Sequence, residues 1–411
     1  MKFFFPDAHD LVDPSYNFET ERREYRGSRQ QSQFYAHEAL GAPPYDGMLI
    51  SKAMVDGGGK GARYSFAQTQ RLRRNGAKEF LRLPQGSCGK LIETMGDCGS
   101  FSYVNEEKPP FGVDEVIDFY ADAQFDYGIA VDHVILGYND KLKHFHDAPE
   151  DWRQRFDITL TCAKEFMDKS KKAKLRFKAV GAVQGWNPDS YARGVIAMQE
   201  MGYDYIALGG MVPLKNHEVL AVLEAIHAIR RPATRLHLLG ITRLEELKAL
   251  QKYGVHSFDS TSPLKKAFMD DKDNYYTPDR AYTAIRVPQV DGNPTLRRKI
   301  LAGAIDQRRA LALERECMQG LKEFEKDAIS ADSVVDHLRE YEALWHGQKD
   351  DSPRYRETLI DAPWKNCPCG VCKQLGIHVL IFRGAERNRR RGFHNLHALR
   401  GRLDRDLANL N

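Results

Sequence analysis

Short apolar runs alternate with stretches of helical periodicity from residue 47 to residue 259, and this pattern constrains the fold of the 411-residue chain more than anything else in it. The segments 90–97, 128–134, 177–184, 205–212, 235–241 and 256–259 are rich in Ile, Val, Leu and Ala and read as buried strands. An early run, 47–52, adds one strand, and 80–83 is the candidate that brings the count to eight. Between them, 114–125, 152–169, 189–201, 216–229 and 243–252 place apolar residues three or four apart, and several open with Asp or Asn, as helices do. Regular strand–helix alternation means parallel strands, in a doubly wound sheet or a (β/α)8 barrel. No G-x-G-x-x-G or P-loop sequence opens any of the helices, which argues against a nucleotide-cofactor sheet. The expected fold is therefore α/β, a (β/α)8 TIM barrel.

A second signal lies near the C-terminus, where Cys367, Cys369 and Cys372 fall within six residues and His394 follows. Thiolates at this spacing close on one ion while a histidine returns from a later segment, giving a closed tetrahedral Cys3His site that suits structural zinc rather than catalysis. A disulfide with a spare thiol, or buried free cysteines, are the competing readings. His378 and His397 compete with His394 for the fourth position. Cys88, Cys98, Cys162 and Cys317 are scattered, as reduced thiols in a cytoplasmic protein are. No apolar run approaches the span of a bilayer, and Pro6 and Asp7 break the apolar start before a signal-peptide core forms.

The net charge of +4 conceals an asymmetry: residues 366–411 carry eight Arg and one Lys against Glu386, Asp404 and Asp406, a local +6, so the rest sums to −2. Guanidinium groups pair with phosphate oxygens and release counterions. Arg383, Arg387, Arg389, Arg390 and Arg391 are accordingly expected to line a nucleic-acid backbone, the alternative being a solvated basic face. The expected division is a catalytic barrel over 1–345 and a zinc-binding, nucleic-acid-facing subdomain over 346–411. Long charged helices over 296–322 and 331–344 read as solvated. The basic, aromatic stretch 63–82 reads as an amphipathic helix outside the barrel or a strand-binding surface.

The polar residues at the strand ends carry the functional clue. Asp97, Asp132, Gln184, the pair Gly209 and Gly210, and Asp259 each close a predicted strand, which in a barrel sets all of them on the rim where active sites are built. A single Asp after a strand is more often a turn former or helix cap. Three carboxylates, an amide and a glycine pair from five strands are a different matter. Asp259 precedes Ser260, Thr261, Ser262 and Pro263, which do not read as a cap feeding an amphipathic helix, so its carboxylate is left for chemistry.

These motifs resemble the tRNA-guanine transglycosylase superfamily over most of the chain. Residues 96–101 resemble its Asp-Ser-Gly-Gly-Phe-Gln segment, 182–185 its Val-Gln-Gly, and 208–211 its base-contacting Gly-Gly-Leu. Phe258, Asp259 and Ser260 with downstream Pro263 are similar to the nucleophile segment, and Cys367, Cys369, Cys372, His394 and Asn395 to the zinc signature. The resemblance implies base exchange at a ribosyl carbon. Asp259 would attack C1′, Asp97 would shuttle the proton, and Asp132, Gln184, Gly209, Gly210 and Met211 would recognise the base. Departures from the usual tRNA enzymes, at Cys98, Ser100, 64–68 and 264–271, weaken the tRNA reading, and the openings 2–7 with 10–14, and 44–47, are similar to the DpdA branch. That branch implies guanine replaced in DNA by 7-cyano-7-deazaguanine (preQ0), with companion modification proteins, and the wider family implies a homodimer. The alternatives are a divergent tRNA enzyme of queuine or archaeosine type and a non-catalytic nucleic-acid-binding subunit, against which the retention of both Asp97 and Asp259 speaks.

Overall fold

A computed structural model describes residues 1–23, 29–57, 61–84, 91–142, 144–346 and 349–410. Eight parallel strands close into a barrel: β1 (Lys2–Pro6), β2 (Gly47–Ser51), β3 (Glu93–Asp97), β4 (Tyr127–Ile129), β5 (Lys178–Val183), β6 (Tyr205–Leu208), β7 (Arg235–Leu238) and β8 (Val255–Asp259). Strand β1 closes the ring by pairing with β8 on one side and β2 on the other, with Phe4 opposite Asp259 and Gly47. The barrel expectation is met, but the eighth strand is Lys2–Pro6. Residues 80–83 instead end a short helix, Ala77–Phe80. The predicted strand at 90–97 begins at Glu93 among the described residues; Lys90, like Cys88, lies outside them.

The barrel is filled, as such barrels are. Phe4, Leu49, Met95, Ile129, Val180, Ala182, Tyr205 and Ala207 form one buried cluster, with Tyr127 packed against it. Around the strands lie α1 (Phe66–Asn75), α2 (Val113–Asp122), α3 (Glu150–Ala173), α4 (Pro188–Met201), α5 (Asn216–Ile229) and α6 (Leu247–Lys252). The loop after β5 shows how sequence fixes such a start. Asn187 accepts from the Ser190 N–H at 2.8 Å, and Pro188 takes the first helical position, where its missing donor costs nothing. The basic stretch 63–82 is helical; Arg73 pairs with Asp56 (2.9 Å) and Asp122 (3.0 Å), and Lys78 with Asp126 (2.7 Å). It follows the outer-helix reading.

Two compact units emerge. One holds Met1–His9, Tyr45–Ser262 and Arg405–Asn411; the other holds Asp10–Pro44 and Pro263–Asp404. The division expected at residue 345 is thus displaced, because all barrel strands are complete by Asp259 and the later helices pack on one another. In the second unit α7 (Gln307–Glu325) and α8 (Ala331–Trp345) pair through Leu313, Cys317, Leu321, Val334, Val335 and Leu338, all buried. The continuous helix expected over 296–322 is broken after Leu301, where Gly303 adopts a left-handed backbone. Helices α9 (Gly370–Leu375) and α10 (Gly384–Ala408) follow. Among the described residues no helix is long and apolar enough to cross a membrane.

Candidate active site

The C-terminal rim gathers the predicted site residues. Asp97 ends β3, Asp132 lies three residues past β4, Gln184 and Gly209 follow β5 and β6 directly, and Asp259 ends β8. Ligand oxygens of Asp97 and Asp132 and the sulfur of Cys98 lie within 4.8 Å of one another. Asp132 is buried and accepts from Cys98 Sγ (3.0 Å), Ser100 Oγ (3.2 Å) and Gln184 Nε2 (2.5 Å). The Tyr103 hydroxyl lies 3.0 Å from Cys98 Sγ and 3.1 Å from the Asp132 carbonyl, bracing this corner from behind. Burial pushes the Asp132 carboxyl up, and its three donors hold it back.

Gln184 is fixed at both ends, since its Oε1 accepts from the Ile135 N–H at 3.3 Å. This explains the glycine pair. A Cβ on Gly209 would stand 2.1 Å from Gln184 Nε2; one on Gly210, whose φ is +71°, would stand 2.3 Å from the Ile135 carbonyl. Tyr191 donates to the Gly209 carbonyl at 2.7 Å, which fixes the turn. Met211 is fully buried.

Asp97 and Asp259 sit in different surroundings. Asp97 keeps a partly open face, yet lost hydration and the nearby carboxylates of Asp132 and Asp259 push its carboxyl up to about 8. Asp259 is buried, and its Oδ1 accepts from the Gly240 N–H at 3.0 Å and lies 3.1 Å from His237 Nε2. A helix, Ser262–Met269, does follow Asp259, contrary to the sequence reading. Its entry turn is closed by Ser260 Oγ, which accepts from the Ser262 N–H at 3.1 Å, so Asp259 is still not its cap. Sequence reasoning missed His237. The only signal was a polar side chain within the apolar run of β7, which places it inside the barrel rather than on the rim.

In the second unit, Cys367, Cys369, Cys372 and His394 converge. His394 Nδ1 stands 3.4, 3.6 and 3.3 Å from the three sulfurs. Bonds of about 2.3 Å to sulfur and about 2.0 Å to nitrogen in a tetrahedron give an edge of about 3.5 Å, so the four donors fit one ion. His394 Nε2 meets the Tyr276 carbonyl at 2.7 Å, which fixes the tautomer that leaves Nδ1 for the metal. His378 is engaged elsewhere, 3.5 Å from Glu19, and His397 is not part of the cluster.

The arginine expectation is overturned. Arg383, Arg387, Arg390 and Arg391 are buried, so they cannot line a phosphate backbone. Arg383 grips Glu21 with two bonds of 2.7 Å and Glu314 with a third; Arg387 reaches Glu21 at 2.5 Å, and Arg390 reaches Glu386 at 2.5 Å. Arg391 donates to the carbonyls of Val379 (3.2 Å), Ile381 (3.3 Å) and Ala267. Arg389, half-buried, reaches the Leu11 carbonyl at 3.3 Å. Four of the five lie on α10 and Arg383 just precedes it, and the bonds of all five are made within the second unit.

No protein-family model matches the chain. A DNA-guanine transglycosylase from Salmonella montevideo is 47% identical over 414 aligned residues, covering 99% of this chain and 98% of that protein. Shorter stretches match several proteins named queuine tRNA-ribosyltransferase, two of which illustrate the range. One, from Xanthomonas campestris pv. campestris, is 39% identical over 90 residues (21% of this chain, 23% of that protein). The other, from Chlamydia felis, is 26% identical over 129 residues (31% and 35%). The chain is a transglycosylase of the tRNA-guanine transglycosylase superfamily and belongs to its DpdA-like branch.

Proposed function

We propose that the chain exchanges guanine in DNA for 7-cyano-7-deazaguanine (preQ0) through a covalent aspartyl–deoxyribose intermediate, and that its Cys3His cluster holds a structural zinc ion. The observation that carries the chemistry is the pairing of two rim carboxylates in unlike surroundings, Asp259 met by N–H groups and Asp97 set among carboxylates. The full-length likeness to a protein named for DNA supports the choice of nucleic acid.

A free oxygen of Asp259 attacks C1′, forming an ester bond as the C1′–N9 bond breaks. The electron pair leaves with guanine, which takes the proton that Asp97 holds. The now ionised Asp97 removes the N9 proton of the incoming base, whose nitrogen attacks C1′ and expels Asp259. Oxocarbenium character at C1′ is stabilised by the adjacent carboxylate in both directions. The carboxylate of Asp132 accepts from the N1–H and exocyclic amine of the base, and Gln184 beside it supplies a donor to the adjoining carbonyl of the base. The target base has to leave the stack to enter the mouth, so companion proteins that open the duplex suit this reading.

Labelled guanine or preQ0 offered in parallel to DNA and to tRNA, with Asp259→Ala as control, tests the proposal. Label entering DNA and lost in the variant is expected. Label entering tRNA alone moves the chain to the tRNA reading, and label in neither refutes base exchange by this chain alone.

A further inference from the structure

Behind Asp259 the barrel interior holds three polar side chains, His237, Ser257 and Tyr205, beside its apolar and aromatic filling. His237 Nε2 faces Asp259 Oδ1 at 3.1 Å, its Nδ1 lies 2.5 Å from Ser257 Oγ, and Ser257 Oγ is bonded in turn to the Tyr205 hydroxyl. His237 and Ser257 are wholly buried, and Tyr205 nearly so. The three come from adjacent strands β7, β8 and β6, with His237 in register with both Ser257 and Ala207. Phe4 and Tyr205 pack edge-on against the imidazole, at 5.9 and 6.4 Å between ring centres.

Counting donors fixes the direction of this chain. An ionised carboxylate only accepts, so Nε2 carries the proton toward Asp259. In a neutral imidazole Nδ1 then accepts, and the Ser257 hydroxyl donates to it. Ser257 oxygen is left to accept from the Tyr205 hydroxyl. The reverse arrangement, an imidazolium donating to Ser257, turns the serine proton back toward Tyr205 and leaves the phenol proton without an acceptor in this chain. One ordering therefore satisfies every buried group, and it ends on Asp259.

We infer that His237, set by Ser257 and Tyr205, is a positioning residue that clamps one oxygen of Asp259 together with the Gly240 N–H and so presents the other oxygen to the reacting sugar carbon. The inference rests on Asp259 being the nucleophile. With Oδ1 bound by two donors, rotation of the carboxyl would break both bonds, so Oδ2 is held in a single attack direction. No proton passes to His237, and the base pocket of Asp132 and Gln184 is untouched by it.

The test compares wild type with His237→Phe, His237→Gln and Asp259→Ala, each checked for unchanged melting temperature. DNA and tRNA carrying the target guanine are mixed with enzyme, and the covalent adduct is counted on denaturing gels alongside steady-state exchange. Gln restores a donor near the Nε2 position; Phe keeps ring volume and removes it. The expected result is adduct formation and kcat lowered about 100-fold in His237→Phe, with KM for the free base within about twofold of wild type and about tenfold or more of the rate recovered in His237→Gln. Wild-type adduct formation in a folded His237→Phe overturns the inference, as does a Gln variant no better than Phe. If His237→Phe does not fold, Ser257→Ala and Tyr205→Phe carry the same comparison: an unchanged kcat in both overturns it. An Asp259→Ala enzyme that still exchanges base sinks the underlying reading itself, and is distinguishable because it fails irrespective of residue 237.

Discussion

Asp97 and Asp259 are the same residue type on one rim, and their neighbours divide the labour between them. Set beside Asp132 and Asp259 and short of water, Asp97 has its carboxyl pushed up to about 8, so in the proposed mechanism it would enter as an acid. Its release of guanine should fade once it ionises: kcat/KM is expected to fall about tenfold per unit above roughly pH 8, as a pH–rate profile would reveal. Asp97→Asn should abolish exchange. It should also flatten the pH dependence of stability. A carboxyl whose folded value is raised costs stability progressively as pH climbs from about 4 toward 8, and the amide removes that slope in pH-resolved melting curves. Asp259→Ala and Asp259→Asn should leave the protein folded and its metal content intact while exchange is lost; a folded Asp259→Asn with wild-type turnover would dismiss Asp259 as the nucleophile.

At the scale of elements, helix α10 shows how charge misleads when read without burial. Its guanidiniums are spent on Glu21, Glu386 and backbone carbonyls, so charge reversal at Arg391 should unfold the second unit rather than change the salt dependence of nucleic-acid binding. Burial alone would push the Glu21 carboxyl up, but Arg383 and Arg387 bring it down to about 2. Its contribution is complete above about pH 4.5 and is lost as pH falls toward 2. Glu21→Ala should cost about 3–5 kcal/mol, because it leaves Arg387 buried without its carboxylate, and should shrink the acid-side loss of stability in denaturant titrations. The barrel was legible because buried parallel strands are nearly continuous apolar runs and their helices carry a 3.6 period. Strand β1 was overlooked since Phe3, Phe4 and Phe5 also suit an N-terminal motif, and nothing local shows that such a run closes a ring with Asp259. The rim residues were legible by position after their strands. His237 was not, because its meaning depends on Ser257 and Tyr205 from neighbouring strands.

Across the whole molecule the chain leaves the barrel unit after His9, contributes residues 10–44 to the second unit, and returns at Tyr45 before departing again at Pro263. Both crossings leave the second unit discontinuous in sequence, and its two segments are joined internally by Glu21 with Arg383 and by the Asp13 N–H with Glu386 at 3.0 Å. A unit assembled from distant segments pays a large loop-closure entropy, which a metal clip offsets by fixing late segments together. Tyr275 stacks on His394 at 4.0 Å, and Asn395 binds the Tyr276 N–H at 2.9 Å and the Pro263 carbonyl at 3.1 Å, so the ligand turn is tied to the segment that enters this unit. Losing one ligand should therefore be felt throughout the unit. Cys369→Ser is expected to lose bound zinc and to lower the melting temperature together, whereas Asp259→Ala keeps its zinc. Metal analysis beside calorimetry checks this, and full zinc retention in Cys369→Ser would remove Cys369 from the ligand set. Chelation of the wild type should reproduce the thermal loss, while in any fraction that stays folded the barrel rim should keep its chemistry, because no step of the proposed base exchange draws on the metal.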